Sequence, residues 1–204
     1  MIGTDEMARL AKHCTTHGIW LVSDEIYHGL TYERPASTAL SVDDDAVVIN
    51  SFSKYFCMTG WRIGWMVVPD RPVRPMKRLA QNPYISPPYL SQIAAAASFE
   101  ATEELESIKA GYARNRAILL NELPRLGITE IHPVDGAFYI YADIARFTND
   151  AAGFCKRMLD EAGIAATPGL DFDSLEGAHH LRLSFAGSES DCREAVIRLK
   201  NWLR

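Results

Sequence analysis

The chain has 204 residues, of which 48% are hydrophobic and 23% charged, with a formal net charge of −5. That is ordinary for one large or two small soluble globular domains. No basic stripe recommends a nucleic-acid ligand, and the longest apolar runs, such as 93–97, are far too short to span a bilayer.

Thr4 is placed to cap a first helix, with Asp5 and Glu6 in its opening turn, Met7, Leu10 and Ala11 on its apolar stripe and Gly18 closing it. The run 19–22 (Ile-Trp-Leu-Val) then reads as a strand covered on both faces, with Asp24 to Tyr27 at its carboxyl end. A loop rich in Pro, Ser and Thr leads to a second apolar strand, 46–50, and a third strand spans 62–68, stopped by Pro69. Strands alternating with helices favour an α/β sheet.

The segment 70–88 holds five prolines and reads as a connector with a short helical piece. A long helical pattern starts at Tyr89, breaks near Ala101-Thr102, and resumes to Leu126 and Gly127. A β pair is expected around 128–132 and 137–143. It is followed by a helix over 150–162, short strands near 164–167 and 181–185, and a last helix over 189–203. This second half reads as a compact α+β unit. The four cysteines (Cys14, Cys57, Cys155, Cys192) have no paired or metal-like spacing and are read as reduced thiols of a cytoplasmic protein. The N-terminus lacks the basic and apolar regions of a signal peptide.

The chemistry concentrates in 51–64, Ser-Phe-Ser-Lys-Tyr-Phe-Cys-Met-Thr-Gly-Trp-Arg-Ile-Gly. A lysine at the end of a buried strand needs a reason beyond surface solvation. Together with Ser23-Asp24-Glu25-Ile26-Tyr27, the stretch resembles the cofactor-lysine site of the class I and II aminotransferases, fold-type-I enzymes that use pyridoxal 5'-phosphate (PLP). Further matches are Pro133-x-x-Gly136-Ala137-Phe138-Tyr139, Thr167-Pro168-Gly169-x-x-Phe172 and His180-Leu181-Arg182-Leu183-Ser184-Phe185.

The resemblance implies roles for particular residues. Lys54 is the Schiff-base lysine, and its amine, once displaced by substrate, shuttles a proton from the substrate Cα. Asp24 pairs with the protonated pyridine nitrogen, and Tyr27 donates to the cofactor's phenolic oxygen. Arg62 forms a bidentate pair with the phosphate, joined by the Ser51 hydroxyl and, as a weaker candidate, Ser53. Arg182 clamps the α-carboxylate of the amino acid. Cys57 stands where the family usually has Gly, Ser or Ala; His28, His179 and His180 are read as structural or exposed.

For the fold, the resemblance implies part of the family's PLP-binding large domain (1–88) and a small α+β C-terminal domain (89–204). The three strands of the first part would be the late, adjacent ones of a seven-stranded sheet whose last strand is antiparallel. The expected function is a biosynthetic transaminase moving an amino group from an amino acid to a 2-oxo acid, cytoplasmic and homodimeric, with this chain a truncated portion of it. A carbon–sulfur β-lyase of the same fold, or the PLP-binding sensory part of a transcription regulator, are the other readings. Both open edges of the three-stranded remnant should make the isolated chain marginally stable or associating.

Overall fold

A computed structural model describes residues 1–204. The chain forms two compact units. The first comprises 1–106 with 135–137, and the second comprises 107–134 with 138–204.

In the first unit, α1 (Thr4–His17) carries Asp5 and Glu6 at its positive end and closes on Gly18, whose left-handed φ of 64° only glycine adopts cheaply. Its cap is Gly3, not Thr4, and no side chain bonds there. The Thr4 hydroxyl is instead 2.6 Å from the hydroxyl of Ser37. Strands β1 (Val22–Asp24), β2 (Val47–Ser51) and β3 (Gly64–Val67) form one sheet in that order. β1 and β2 are parallel; β2 and β3 are antiparallel, with Ser51 opposite Gly64.

One face of this sheet is covered by Met7, Ala39, Ala46 and Val48, against which Leu21, Leu40 and Val42 pack. A second cluster joins Phe52 and Met58 to Ala95. Ala95 lies on α3 (Tyr89–Ser98) and is 3% exposed. This packing draws α3 into the first unit, whereas the sequence assigned it to the second. Trp65 and Phe99 add ring contacts to Phe52 at 4.9 and 5.5 Å.

The expected burial of 19–22 on both faces does not occur. Ile19, Trp20 and Val22 are about half exposed, and every residue of β3 is exposed. The cause is that β1 and β3 are both edge strands of a three-stranded sheet. The connector also differs. α2 (Asp70–Gln81) is a twelve-residue helix, longer than the short piece expected. Pro72 falls in the first turn, where N–H groups have no intrahelical partner. Only Pro75 removes a hydrogen bond from the interior.

α4 (Thr102–Glu122) starts in the first unit and continues into the second. The rest of the second unit is β4 (Tyr139–Asp143), α5 (Ala151–Ala162), β5 (Thr167–Pro168), β6 (His180–Ser184) and α6 (Glu189–Trp202). Its sheet has the order β4-β6-β5 and is antiparallel throughout. Strict alternation governs it. Ile140, Ala142, Leu181 and Leu183 are buried, while Tyr139, Tyr141, His180 and Arg182 occupy the other face. The strand expected over 128–132 is reduced to one bridge, Ile131 to Ala142, because Pro133 ends the pairing.

Side-chain caps fix α5 and α6. Asp150 accepts from the Gly153 N–H at 3.0 Å and Ser188 from the Asp191 N–H at 3.1 Å, each worth about 1 kcal/mol. Asn115 on α4 is 1% exposed. It donates to the carbonyls of Phe185 and Gly187 at 3.0 and 2.8 Å, tying α4 to the turn after β6.

Candidate active site

The loop from β2 to β3 is a self-bonded turn. The Phe52 N–H donates to Ile63 O at 3.2 Å and the Met58 N–H to Phe52 O at 3.0 Å, closing the base. Within it the Cys57 N–H donates to Lys54 O at 3.1 Å, and the Thr59 hydroxyl to Ser53 O at 2.8 Å. Phe52 and Met58 sink into the core beneath, so the polar residues between them are held at the surface of a fixed frame.

That frame carries backbone strain at two points. Cys57 has φ of 56° and Arg62 a φ of 51°, in the left-handed region that costs a residue with a Cβ roughly 1–2 kcal/mol. The Arg62 guanidinium donates from Nη1 to Thr59 O at 2.8 Å, which holds it back across the loop. Gly64 is forced: a Cβ there would lie 2.6 Å from the Asn50 carbonyl oxygen on the paired strand. A small residue at Gly60, by contrast, is not required by its neighbours, since a Cβ there would meet nothing within 4 Å.

β1 and β2, being parallel, end on the same side, with Asp24 paired to Ile49. The carboxyl ends of parallel strands in an open sheet are where ligands gather. Asp24 is exposed there, and its Oδ1 accepts a long bond from the Ile26 N–H at 3.4 Å. The Nζ of Lys54 sits 5.6 Å from the centre of the Tyr27 ring, within range of a cation–π contact. Asp24, Tyr27, Ser51, Ser53, Lys54 and Arg62 thus all belong to the first unit, on the β1 and β2 ends and the loop after β2.

The two serines differ in what they already do. The Ser51 hydroxyl accepts from the Ser53 N–H at 3.0 Å and donates to Ile63 O at 3.3 Å. A phosphate would compete with that carbonyl for its single proton. The Ser53 side chain has no such engagement, so the weaker sequence candidate has the readier hydroxyl.

Two supporting residues, Glu25 and Tyr55, escaped the sequence reading. Glu25, next to Asp24, is 3% exposed. Its Oε1 accepts from the Ala39 N–H at 2.7 Å and the Thr38 hydroxyl at 3.1 Å, and its Oε2 lies 3.1 Å from His28 Nδ1. This network pins the segment that presents Asp24 and Tyr27, and it gives His28 the structural part expected of it. Tyr55, next to Lys54, lies against Gly29, where a Cβ would come within 2.4 Å of its ring. Its hydroxyl donates to Glu106 at 2.7 Å, and burial together with that carboxylate pushes its pKa up to about 12. The only advance signal for either brace was a polar or bulky residue directly beside a motif residue.

Arg182 lies in the second unit, on the polar face of β6 opposite Tyr141. Its guanidinium carbon is 4.2 Å from the ring centre of Tyr139 and 4.3 Å from that of Phe172. No ion pair of the chain engages it.

Residues 2–199 match the family Aminotransferase class I and II. The valine–pyruvate aminotransferase of Mycobacterium tuberculosis is 46% identical over 207 residues, covering 100% of this chain and 53% of that protein. An aspartate aminotransferase of Sulfurisphaera tokodaii is 32% identical over 97% of this chain and 51% of its own length. Among solved structures, an aminotransferase from Mycobacterium tuberculosis superposes with a TM-score of 0.96 at 46% identity, over 100% of this chain and 54% of that one. The aspartate aminotransferase from Thermus thermophilus with maleate does so with a TM-score of 0.89 at 32% identity, over 98% of this chain and 52% of that one. The chain therefore spans about half the length of the relatives it matches. With a profile match across nearly all of its residues, the chain belongs to the class I and II aminotransferases.

Proposed function

We propose that this chain carries the cofactor lysine and the substrate arginine of a PLP-dependent transaminase that moves an α-amino group from an amino acid to a 2-oxo acid. The observation that carries the reading is the clustering of Lys54, Arg62 and two hydroxyls on one rigid loop, beside Asp24 and Tyr27 at the end of the neighbouring parallel strand. This donor set fits PLP: an amine for its aldehyde, a carboxylate for its ring nitrogen, a phenol for its ring oxygen, and a guanidinium and hydroxyl for its phosphate. When bound, PLP supplies an electrophilic carbon and an electron-withdrawing ring.

The chain's own residues would do the rest. Lys54 would hold the cofactor through its amine, and that amine would take a proton from the substrate Cα and return it. Asp24 keeps a proton on the pyridine nitrogen, which favours negative charge at that Cα. Tyr27 orients the ring by a hydrogen bond. Arg62 and Ser53 or Ser51 fix the phosphate, and Arg182 fixes the amino-acid carboxylate through two parallel N–H bonds.

The substrates of such a transaminase are an amino acid and a 2-oxo acid, and its large domain is read as 1–88 and its small one as 89–204, although α3 packs with the first of them through Ala95. A homodimeric assembly is supported by the exposed Tyr84, Ile85 and Tyr89, each at least 78% accessible. A cytoplasmic location is supported by four free thiols. No helix is long and apolar enough to cross a membrane.

The test is an absorbance spectrum of the chain with PLP, followed by borohydride reduction and mass analysis of the labelled peptide. A covalent label on Lys54, absent from Lys54→Ala, is expected. Labelling spread over other lysines would sink the assignment. Amino transfer from a panel of donors, measured on the chain and on a longer form restoring the length of its relatives, tests the activity itself.

A further inference from the structure

We propose that Tyr139 and Phe172 are positioning residues that hold the Arg182 guanidinium between two aromatic rings, and that the Gly169–Gly177 backbone contact is what seats Phe172. The inference rests on the reading of Arg182 as a carboxylate clamp and adds how the clamp is aimed.

An arginine side chain has several rotatable bonds and about 2 kcal/mol of rotamer entropy, so a free one is poorly prepared to grip a planar anion. A guanidinium is attracted over ring faces, and rings against its faces leave the N–H edge available for two parallel bonds. Both rings here lie within 4.3 Å of the guanidinium carbon.

The two rings arrive by different routes. Tyr139 comes from the register of β4: it pairs with Ser184, which places it diagonally beside Arg182 on the same face. Phe172 comes from the loop between β5 and β6. The N–H groups of Phe172 and Asp173 both donate to Gly169 O, at 2.8 and 2.9 Å. The Asp173 carboxylate accepts from the N–H groups of Leu175 and Glu176, which hold its pKa below the ordinary carboxylate value. The loop then returns so tightly that a Cβ on Gly177 would lie 2.5 Å from the Gly169 carbonyl carbon. A Cβ on Gly169 would lie 2.6 Å from Gly177 O. Backbone meets backbone, so neither position has a side chain that can yield. Phe172 itself is 51% exposed, which makes it a poor contributor to the core, and its ring lies near the Arg182 guanidinium and the Tyr141 ring.

The experiment is arginine Nε–Hε NMR on the full 204-residue chain, with the Arg182 signal assigned by its loss in Arg182→Lys. Ring currents should set that signal apart from those of exposed arginines. Phe172→Leu should return it toward them, Phe172→Tyr should restore it, and Gly177→Ala should shift it in the manner of Phe172→Leu. The half-exposed site keeps Phe172→Leu folded, which the remaining amide spectrum verifies. Titration with pyruvate should then perturb the Arg182 signal, with affinity about two- to fivefold weaker in Phe172→Leu, the factor expected from one exposed cation–π contact. An Arg182 signal at the exposed-arginine position in the unsubstituted chain overturns the proposal, as does one indifferent to Phe172→Leu. A shifted, Phe172-dependent signal that ignores pyruvate upholds the ring clamp and counts instead against the carboxylate role of Arg182.

Discussion

The ring Nδ1 of His28 lies 3.1 Å from Oε2 of Glu25, a carboxylate that is buried although its neighbour Asp24 faces solvent. Adjacent acidic residues at a strand end therefore have opposite parts. Asp24 is presented, and Glu25 is the anchor that presents it, by accepting from the Ala39 N–H and the Thr38 hydroxyl and lying beside the His28 ring.

Removing the anchor should be costly. Glu25→Ala leaves the Ala39 N–H buried without an acceptor, a loss of about 1–3 kcal/mol. Glu25→Gln keeps an oxygen for Ala39 and should lose less. Urea unfolding of the two variants checks the order, and equal losses would contradict the role of Oε1.

Cys57 should be improvable. Its φ of 56° is comfortable only for glycine. Cys57→Gly is expected to stabilise the chain by about 1 kcal/mol, the left-handed penalty less the extra freedom of the unfolded glycine. A raised unfolding midpoint at unchanged denaturant slope is the readout.

Alkaline pH should weaken the Tyr55 brace. Its folded pKa of about 12 exceeds the ordinary value of 10, so between these the unfolded state has lost a proton that the folded state still holds. The contribution of Tyr55 to stability is therefore complete below pH 10 and falls as pH rises from 10 to 12. Tyr55→Phe should flatten that part of the stability–pH curve relative to the unsubstituted chain. An unchanged slope would refute the link.

Arg62 should resist replacement by lysine. A single ammonium cannot reproduce two parallel bonds to a phosphate, so both Arg62→Lys and Arg62→Ala should weaken PLP binding, by about tenfold or more for the alanine variant. Absorbance titration with PLP reads this directly. Full affinity in Arg62→Ala would remove the phosphate role.

What could be read from the sequence was whatever is local. The β2 apolar run, the break between α3 and α4, and the presence of a strand at β6 all follow from periodicity and from residues in immediate succession. The Lys54 and Arg182 motifs stood out for the same reason. What escaped depends on pairs distant in the chain. The Tyr55–Glu106 bond spans 51 positions, and the Asn115 bonds to Phe185 and Gly187 span 70 and 72. The half-exposed β1 illustrates the same limit: an apolar run gives what a strand can bury, while its place at a sheet edge decides what it does bury. α2 was misjudged by counting prolines without asking which of their missing N–H groups a helix would use.

The alternation along β6 also governs which changes of length the chain can absorb. Leu181 and Leu183 are buried and Arg182 stands between them on the opposite face. Deleting one residue within this strand would reverse the parity of everything beyond it, sending an arginine inward and a leucine outward at once. Insertions here are tolerable only two at a time. Arg182 and the core of the second unit are thus locked to a common reading frame of geometry, so neither can drift along the strand without the other.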